Sequence, residues 1–149
     1  MRIVQADTSR LDEVTPLFIK YREFYGHLPK PEASRRFLED RLKNEQAVIL
    51  IAEDEESGKV LGFCQFIPSF SALTLSAAWV LKGIYVTEEA RRQLVADRLI
   101  NHSKELAKAA GVDRMTVMTG EDNMAAQSLY RSLGFSNDHD FMYFALKLS

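Results

Sequence analysis

The chain reads as one α/β domain, a mixed sheet flanked by helices on both faces. Three observations lead there. Short apolar, β-branched runs such as RIVQA, AVILIAE, KVLGFCQFI and AWVLKGIYV have the length and composition of strands. Longer segments between and after them carry apolar residues at three- and four-residue spacing, the period of a helix with one buried face. The resulting order, β-α-α-β-β-β-α-β-α-β, combines hairpins with crossovers and so mixes strand directions.

RIVQA is the first strand. A helix follows over residues 8–25, with Leu11, Val14, Phe18 and Tyr21 at helical spacing. Pro16 removes one donor inside it and predicts a kink or a second start. YGHLPKP breaks the pattern, and EASRRFLEDRLK resumes it with Phe37, Leu38 and Leu42. AVILIAE and KVLGFCQFI, separated by DEESG, predict an antiparallel hairpin, with the acidic run from Glu53 to Glu56 as a solvated turn. AWVLKGIYV is a longer strand. TEEARRQLVADRLINHSKELAKAAG then reads as one helix ending at Gly111, with Val95, Leu99, His102 or Ser103, and Leu106 inward. DRMTVMTG is a strand, NMAAQSLYRSLGF a short helix, and FMYFALKLS a closing strand.

No repeat, low-complexity tract or linker divides residues 1–149, so one domain is expected, able to bury roughly two thirds of its surface. Apolar residues make up 46% and charged residues 27%, an ordinary globular balance. No apolar run is long enough to cross a bilayer. The first residues, MRIVQADTSR, lack the apolar core of a signal peptide, so a cytoplasmic protein is expected. The single cysteine, Cys64, excludes an internal disulfide and a cysteine-rich zinc site; in its apolar strand it reads as a small core residue. His27, His102 and His139 form no ligand pattern, and no metal is expected. A net charge of -2 argues against a nucleic-acid surface.

The most informative stretch is Asn123 to Phe135. Asn123, Ala126, Gln127 and Tyr130 share one helical face, and Leu129 and Leu133 lie on a neighbouring, buried stripe. Gly134 fits the left-handed position past a helix end, and Phe135 can fold back over Leu129 or Tyr130. A strand ending in Tyr85-Val86, arginines opening a long helix, another strand, and then N-x-x-A-x-x-L-Y-x-x-L-G-F together resemble the GNAT superfamily of N-acetyltransferases. The likeness covers the whole chain in element order. Its specific motifs occupy residues 84–99 and 123–135.

The resemblance implies a mostly antiparallel sheet and acetyl-CoA as cosubstrate. Ile84, Tyr85 and Val86 match the strand whose backbone pairs with the pantetheine arm, which needs an open strand edge. Arg91, Arg92, Gln93, Leu94, Val95 and Ala96 match the pyrophosphate turn, where a helix N-terminus offers unpaired amides. Leu94 stands where the family has glycine. The expectation is that leucine takes up helical geometry and points inward as the first apolar residue of the helix, leaving the amides free. Asn123 would hold the pantetheine arm. Tyr130 would protonate the departing sulfur, since its ordinary pKa of roughly 10 lies above that of a thiol.

The mechanism implied is direct attack of an amine on the thioester in a ternary complex. A lysine-like amine has a pKa of roughly 10.4 and needs a base or a water relay. Leu81 to Gly83 carries no carboxylate where many family members have one, which leaves Glu23, Glu53 and Glu121 as substitutes. Tyr21, Glu23 and Tyr25 suit a cationic acceptor through aromatic faces and a carboxylate. The expected activity is therefore acetylation of a small primary amine, polyamine-like in charge. A protein or peptide lysine acetyltransferase and a non-catalytic acyl-CoA-binding module are the other readings. The apolar last strand offers pairing across a homodimer, and no membrane partner is expected.

Overall fold

A computed structural model describes residues 1–138 and 140–149, in two compact units, Met1–Met118 and Thr119–Ser149. The first unit carries a five-stranded sheet in sequence order, β1 (Arg2–Gln5), β2 (Val48–Glu53), β3 (Val60–Ser71), β4 (Ser76–Val86) and β5 (Val112–Val117). β1 to β4 pair antiparallel and β5 joins β4 in parallel, so the sheet is mixed and mostly antiparallel as expected. β2 and the first half of β3 are apolar at nearly every position and nearly wholly buried. That pattern requires cover on both faces.

One face is covered by α1 (Leu11–Phe24) and α2 (Pro31–Lys43). Their inward residues, Leu11, Val14, Leu17, Phe18 and Leu38, join Ile49, Ile51 and Phe63 of the sheet in one core cluster. Burial of each such side chain stabilises the fold by about 1.5–3 kcal/mol. The other face receives α3 (Val95–Ala109), which buries Val95, Leu99, Ile100, Ser103 and Ala107. Ser103 Oγ lies 3.6 Å from Cys64 Sγ, which places Cys64 on the α3 side of β3. Of the two residues expected inward at the middle of this helix, Ser103 is buried and His102 is exposed.

Several expectations need correction. The long helix does not start at Thr87: Glu88–Ala90 form a 3-10 turn, residues 91–94 are irregular, and α3 begins at Val95. Residues 8–10 likewise form a 3-10 turn ahead of α1, which runs unbroken through the exposed Pro16. Glu53 is no part of a solvated turn. It is buried at the end of β2, where Arg2 and Arg10 reach its two oxygens at 2.6 and 2.7 Å. A charge at that depth persists only because it is paired.

The second unit contains α4 (Met124–Ser132). Gly134 adopts φ +99°, the Phe135 amide donates to the Tyr130 carbonyl (2.9 Å), and the Gly134 amide donates to that of Arg131 (3.1 Å). This double bond pattern satisfies the last carbonyls of the helix. The Phe135 ring meets Tyr130 at 5.7 Å, the fold-back the sequence suggested. FMYFALKLS, in contrast, forms no strand: residues 141–149 have no regular structure, and Phe141, Tyr143, Phe144 and Leu146 are exposed. A strand exists only through its ladder, and within its own unit this segment has no strand to pair with.

Candidate active site

β4 outruns its neighbour. β5 pairs with it from Ala77 to Leu81 and stops there, while β4 continues to Val86 paired on its β3 side alone. Ile84, Tyr85 and Val86 thus lie on a stretch of strand whose other edge carries no ladder within this unit. The register shifts just before it. Cys64 pairs with Ile84 and Phe66 with Leu81, so Lys82 and Gly83 together oppose Gln65. Such a bulge bends the strand and takes one residue out of the ladder.

The chain then turns through Arg91 to Leu94 into α3. Arg92 and Leu94 both have left-handed backbone, at φ +69° and +60°. Leu94 is the N-cap and is 65% exposed. The inward, helical leucine expected from the sequence is therefore overturned. Val95 is the first buried residue of the helix, and the left-handed φ explains why a glycine suits this position. A non-glycine residue held there costs about 1–2 kcal/mol. Leucine has no side-chain acceptor, so the amides opening α3 receive no bond from the N-cap side chain. Arg91 and Arg92 sit beside them, and the Arg91 guanidinium donates to the Val86 carbonyl (3.3 Å) and lies 5.7 Å from the Tyr85 ring centre. Asp97, in the first turn, is the opposing charge.

Gly62 brings the helix start and the strand together. A Cβ at Gly62 would lie 3.0 Å from the Tyr85 carbonyl oxygen and 3.1 Å from Val95 Cγ1. Without one, α3 can begin directly over β3. Nothing in the sequence marked Gly62, because the neighbours that crowd it are distant in the chain.

Among the proposed acceptor residues, Tyr21 and Tyr25 share a face of α1, with rings 5.3 Å apart. Tyr21 packs edge-on to Phe63 and covers Gly83, whose added Cβ would meet its ring at 3.5 Å. Burial first, and the neighbouring Tyr25 second, push the Tyr21 hydroxyl pKa upward. Tyr25 is about half exposed at the helix end. Glu23 does not join them: two residues along a helix it points nearly opposite, into solvent. Arg22 holds the following loop by donating to the Leu28 and Pro29 carbonyls.

Within the second unit, Asn123, Ala126, Gln127 and Tyr130 are the less exposed face of α4, as their spacing predicted, with Tyr130 buried. Asn123 Oδ1 accepts the Ala126 amide at 3.2 Å and caps the helix, a local duty beside any contact with a ligand. Gln127 Nε2 donates to the carbonyls of Gly120 and Glu121, stapling the approach loop. Of the substitute bases, Glu121 is exposed and Glu53 is excluded. Hydrogen bonds from Arg10 and then Arg2 hold the Glu53 carboxyl below its ordinary value, so it is a poor proton acceptor. Burial pushes the Cys64 thiol up to about 12, which removes it as a nucleophile. Among the described residues, no three His, Cys, Asp or Glu gather as a metal site; His139 lies outside them.

Comparison with known proteins shows the family. The model of the acetyltransferase (GNAT) family matches residues 12–135. An uncharacterized N-acetyltransferase of Bacillus subtilis (strain 168), YhfO, is 36% identical over 99% of this chain and 98% of its own. An aminoglycoside N(6')-acetyltransferase type 1 of Serratia marcescens is 38% identical over 43% of this chain and 44% of its own. The crystal structure of a probable acetyltransferase superimposes with a TM-score of 0.94 at 52% identity, covering 100% of this chain and 99% of that one. An open β4 edge beside an uncapped helix start is what an acyl-CoA needs, and the chain belongs to the GNAT acetyltransferase family, enzymes that transfer an acetyl group from acetyl-CoA to nitrogen.

Proposed function

We propose that the protein acetylates a small cationic primary amine, with acetyl-CoA laid along Ile84–Val86 and its pyrophosphate at the start of α3. The observation that carries this reading is the unpaired β4 edge leading into the Arg91–Leu94 turn. Backbone groups of Ile84 and Val86 pair with the pantetheine amides, and the amides of Val95 and Ala96 together with Arg91 and Arg92 meet the phosphates. To do so, Arg91 exchanges the Val86 carbonyl for phosphate oxygen, a stronger charge-assisted bond. Tyr130 is the general acid for the leaving sulfur, and Asn123 orients the arm from the start of α4.

The amine attacks the thioester carbonyl directly. Its nitrogen forms the C–N bond as the C–S bond breaks, the sulfur takes the Tyr130 proton, the amine's own proton passes to solvent, and solvent returns a proton to Tyr130. No covalent enzyme intermediate is needed, consistent with the inert Cys64. Tyr21 and Tyr25 favour a cationic acceptor, and the Serratia relative is named for aminoglycosides, a class carrying several primary amines.

Thiol release from acetyl-CoA, measured against spermidine, kanamycin, amino acids and a lysine peptide, tests the proposal. Turnover with spermidine or kanamycin is the expected result. Turnover of the peptide alone assigns a protein lysine acetyltransferase. Tight acetyl-CoA binding with no acceptor consumed assigns a binding module.

A further inference from the structure

Gln65 is the polar residue the site leaves unexplained. It lies in the middle of β3, 1% exposed, and its side-chain oxygen is buried with no hydrogen-bond donor among the described residues. Strand alternation places it on the α1-facing side. Cys64 faces α3, whereas Phe63 on one side of Gln65 and Ile67 on the other belong with the cluster packed against α1 and α2. Across the sheet it opposes Ile49 on β2 and, on β4, the bulged pair Lys82 and Gly83. Gly83 in turn lies under the Tyr21 ring. An unpaired buried carbonyl is costly, and an apolar residue would fill the position without that cost. It faces the bulge at Lys82 and Gly83, where the ladder between β3 and β4 is interrupted.

We infer that Gln65 is a positioning residue for the acceptor's proton: its side-chain oxygen binds an O–H or N–H donor at the β4 bulge, either an ordered water or the acceptor amine itself. This rests on the proposed acetyl transfer. An ammonium must lose a proton before its nitrogen can attack, and within this unit Glu23 points to solvent while Glu53 is held by Arg2 and Arg10. A water held by Gln65 accepts that proton and releases one to bulk solvent. Gln65 cannot take up a proton itself; it sets the donor's orientation. In the water case its loss lowers kcat and moves the pH midpoint of kcat upward, because deprotonation falls back on solution. In the direct case its loss raises the acceptor KM.

The test pairs Gln65→Leu and Gln65→Met with a crystal structure of the wild-type acetyl-CoA complex at a resolution that shows ordered water. Both variants are expected to bind acetyl-CoA with unchanged affinity and to melt no lower than wild type. With spermidine or kanamycin as probe, kcat/KM is expected to fall about tenfold, the scale of one hydrogen bond. The split between kcat and KM identifies the donor. In the water case the crystal structure is expected to show that water on Gln65, and in the direct case a second crystal with the acceptor and CoA is expected to show the amine there. Unchanged kcat, KM and pH profile in either folded variant overturn the inference. So does a Gln65 whose two amide atoms are satisfied by protein groups alone. If wild type acetylates no probe, the proposed function fails, and the crystal structure decides the Gln65 inference by itself.

Discussion

The two halves of the site we propose in the first unit are built from different materials. The cofactor half uses backbone: an unladdered stretch of β4, the free amides opening α3, and a glycine that lets helix and strand approach. The acceptor half uses side chains: Tyr21 and Tyr25 meet edge to face along α1, with Tyr21 over Gly83 of the β4 bulge. Backbone recognition survives an unusual residue, since Leu94 changes the side chain and leaves the amides in place. Side-chain recognition changes with every substitution. The difference predicts that cofactor binding is robust to mutation and acceptor choice is not.

The strongest test concerns chemistry rather than binding. Tyr130→Phe should leave acetyl-CoA affinity intact and lower kcat by about ten- to a thousand-fold, the loss of a general acid. Rates are to be measured with the acetylated amine where chemistry limits turnover. Wild-type kcat in that variant would remove the proposed role.

Next in size is Glu53, which belongs to neither half. Glu53→Gln should cost about 2 kcal/mol, since it weakens hydrogen bonds from two arginines. Because the folded carboxyl is held below its ordinary value of 4.5 by Arg10 and Arg2, its contribution is present above that value and fades as pH falls through the lower, folded one. Denaturant melts should therefore show the full gap from wild type at pH 7 and a closing gap below about pH 4. A gap that persists unchanged in acid contradicts the assignment, as does kinetic loss at pH 7 beyond the loss of folded protein.

A smaller effect sharpens the comparison directly. Tyr25→Ala removes a half-exposed aromatic face and should raise KM for a cationic acceptor about fivefold, with acetyl-CoA affinity unchanged. If cofactor affinity falls instead, the division between the halves is wrong.

The smallest effect is at Leu94. Relief of its left-handed strain should make Leu94→Gly about 1 kcal/mol more stable, a rise of about 2–4 °C in Tm, while calorimetry finds acetyl-CoA affinity within about threefold of wild type. Helix propensity would favour leucine, but Leu94 stands outside the helix, so the backbone argument prevails. A wild type unable to bind, rescued by glycine, would show that the exposed leucine blocks the phosphates.

Much of this was legible in the chain. Hydrophobic periodicity located both long helices and the hairpin, and the Asn123 to Phe135 spacing anticipated a shared face, a glycine stop and a ring fold-back. These are local properties, governed by residues within one or two turns of each other. The sequence by itself determined the order of the elements as far as α4, the mixed sheet and the family. The tertiary structure alone decided that Glu53 lies buried between two arginines, that Leu94 turns outward, that Glu23 parts from Tyr21, and that residues 141–149 stay outside any strand. It also decided which residues crowd Gly62, and that the Gln65 side-chain oxygen meets no donor among the described residues. Each of these depends on partners distant in sequence or on a backbone angle imposed by packing, and neither is written in the spacing of neighbouring residues.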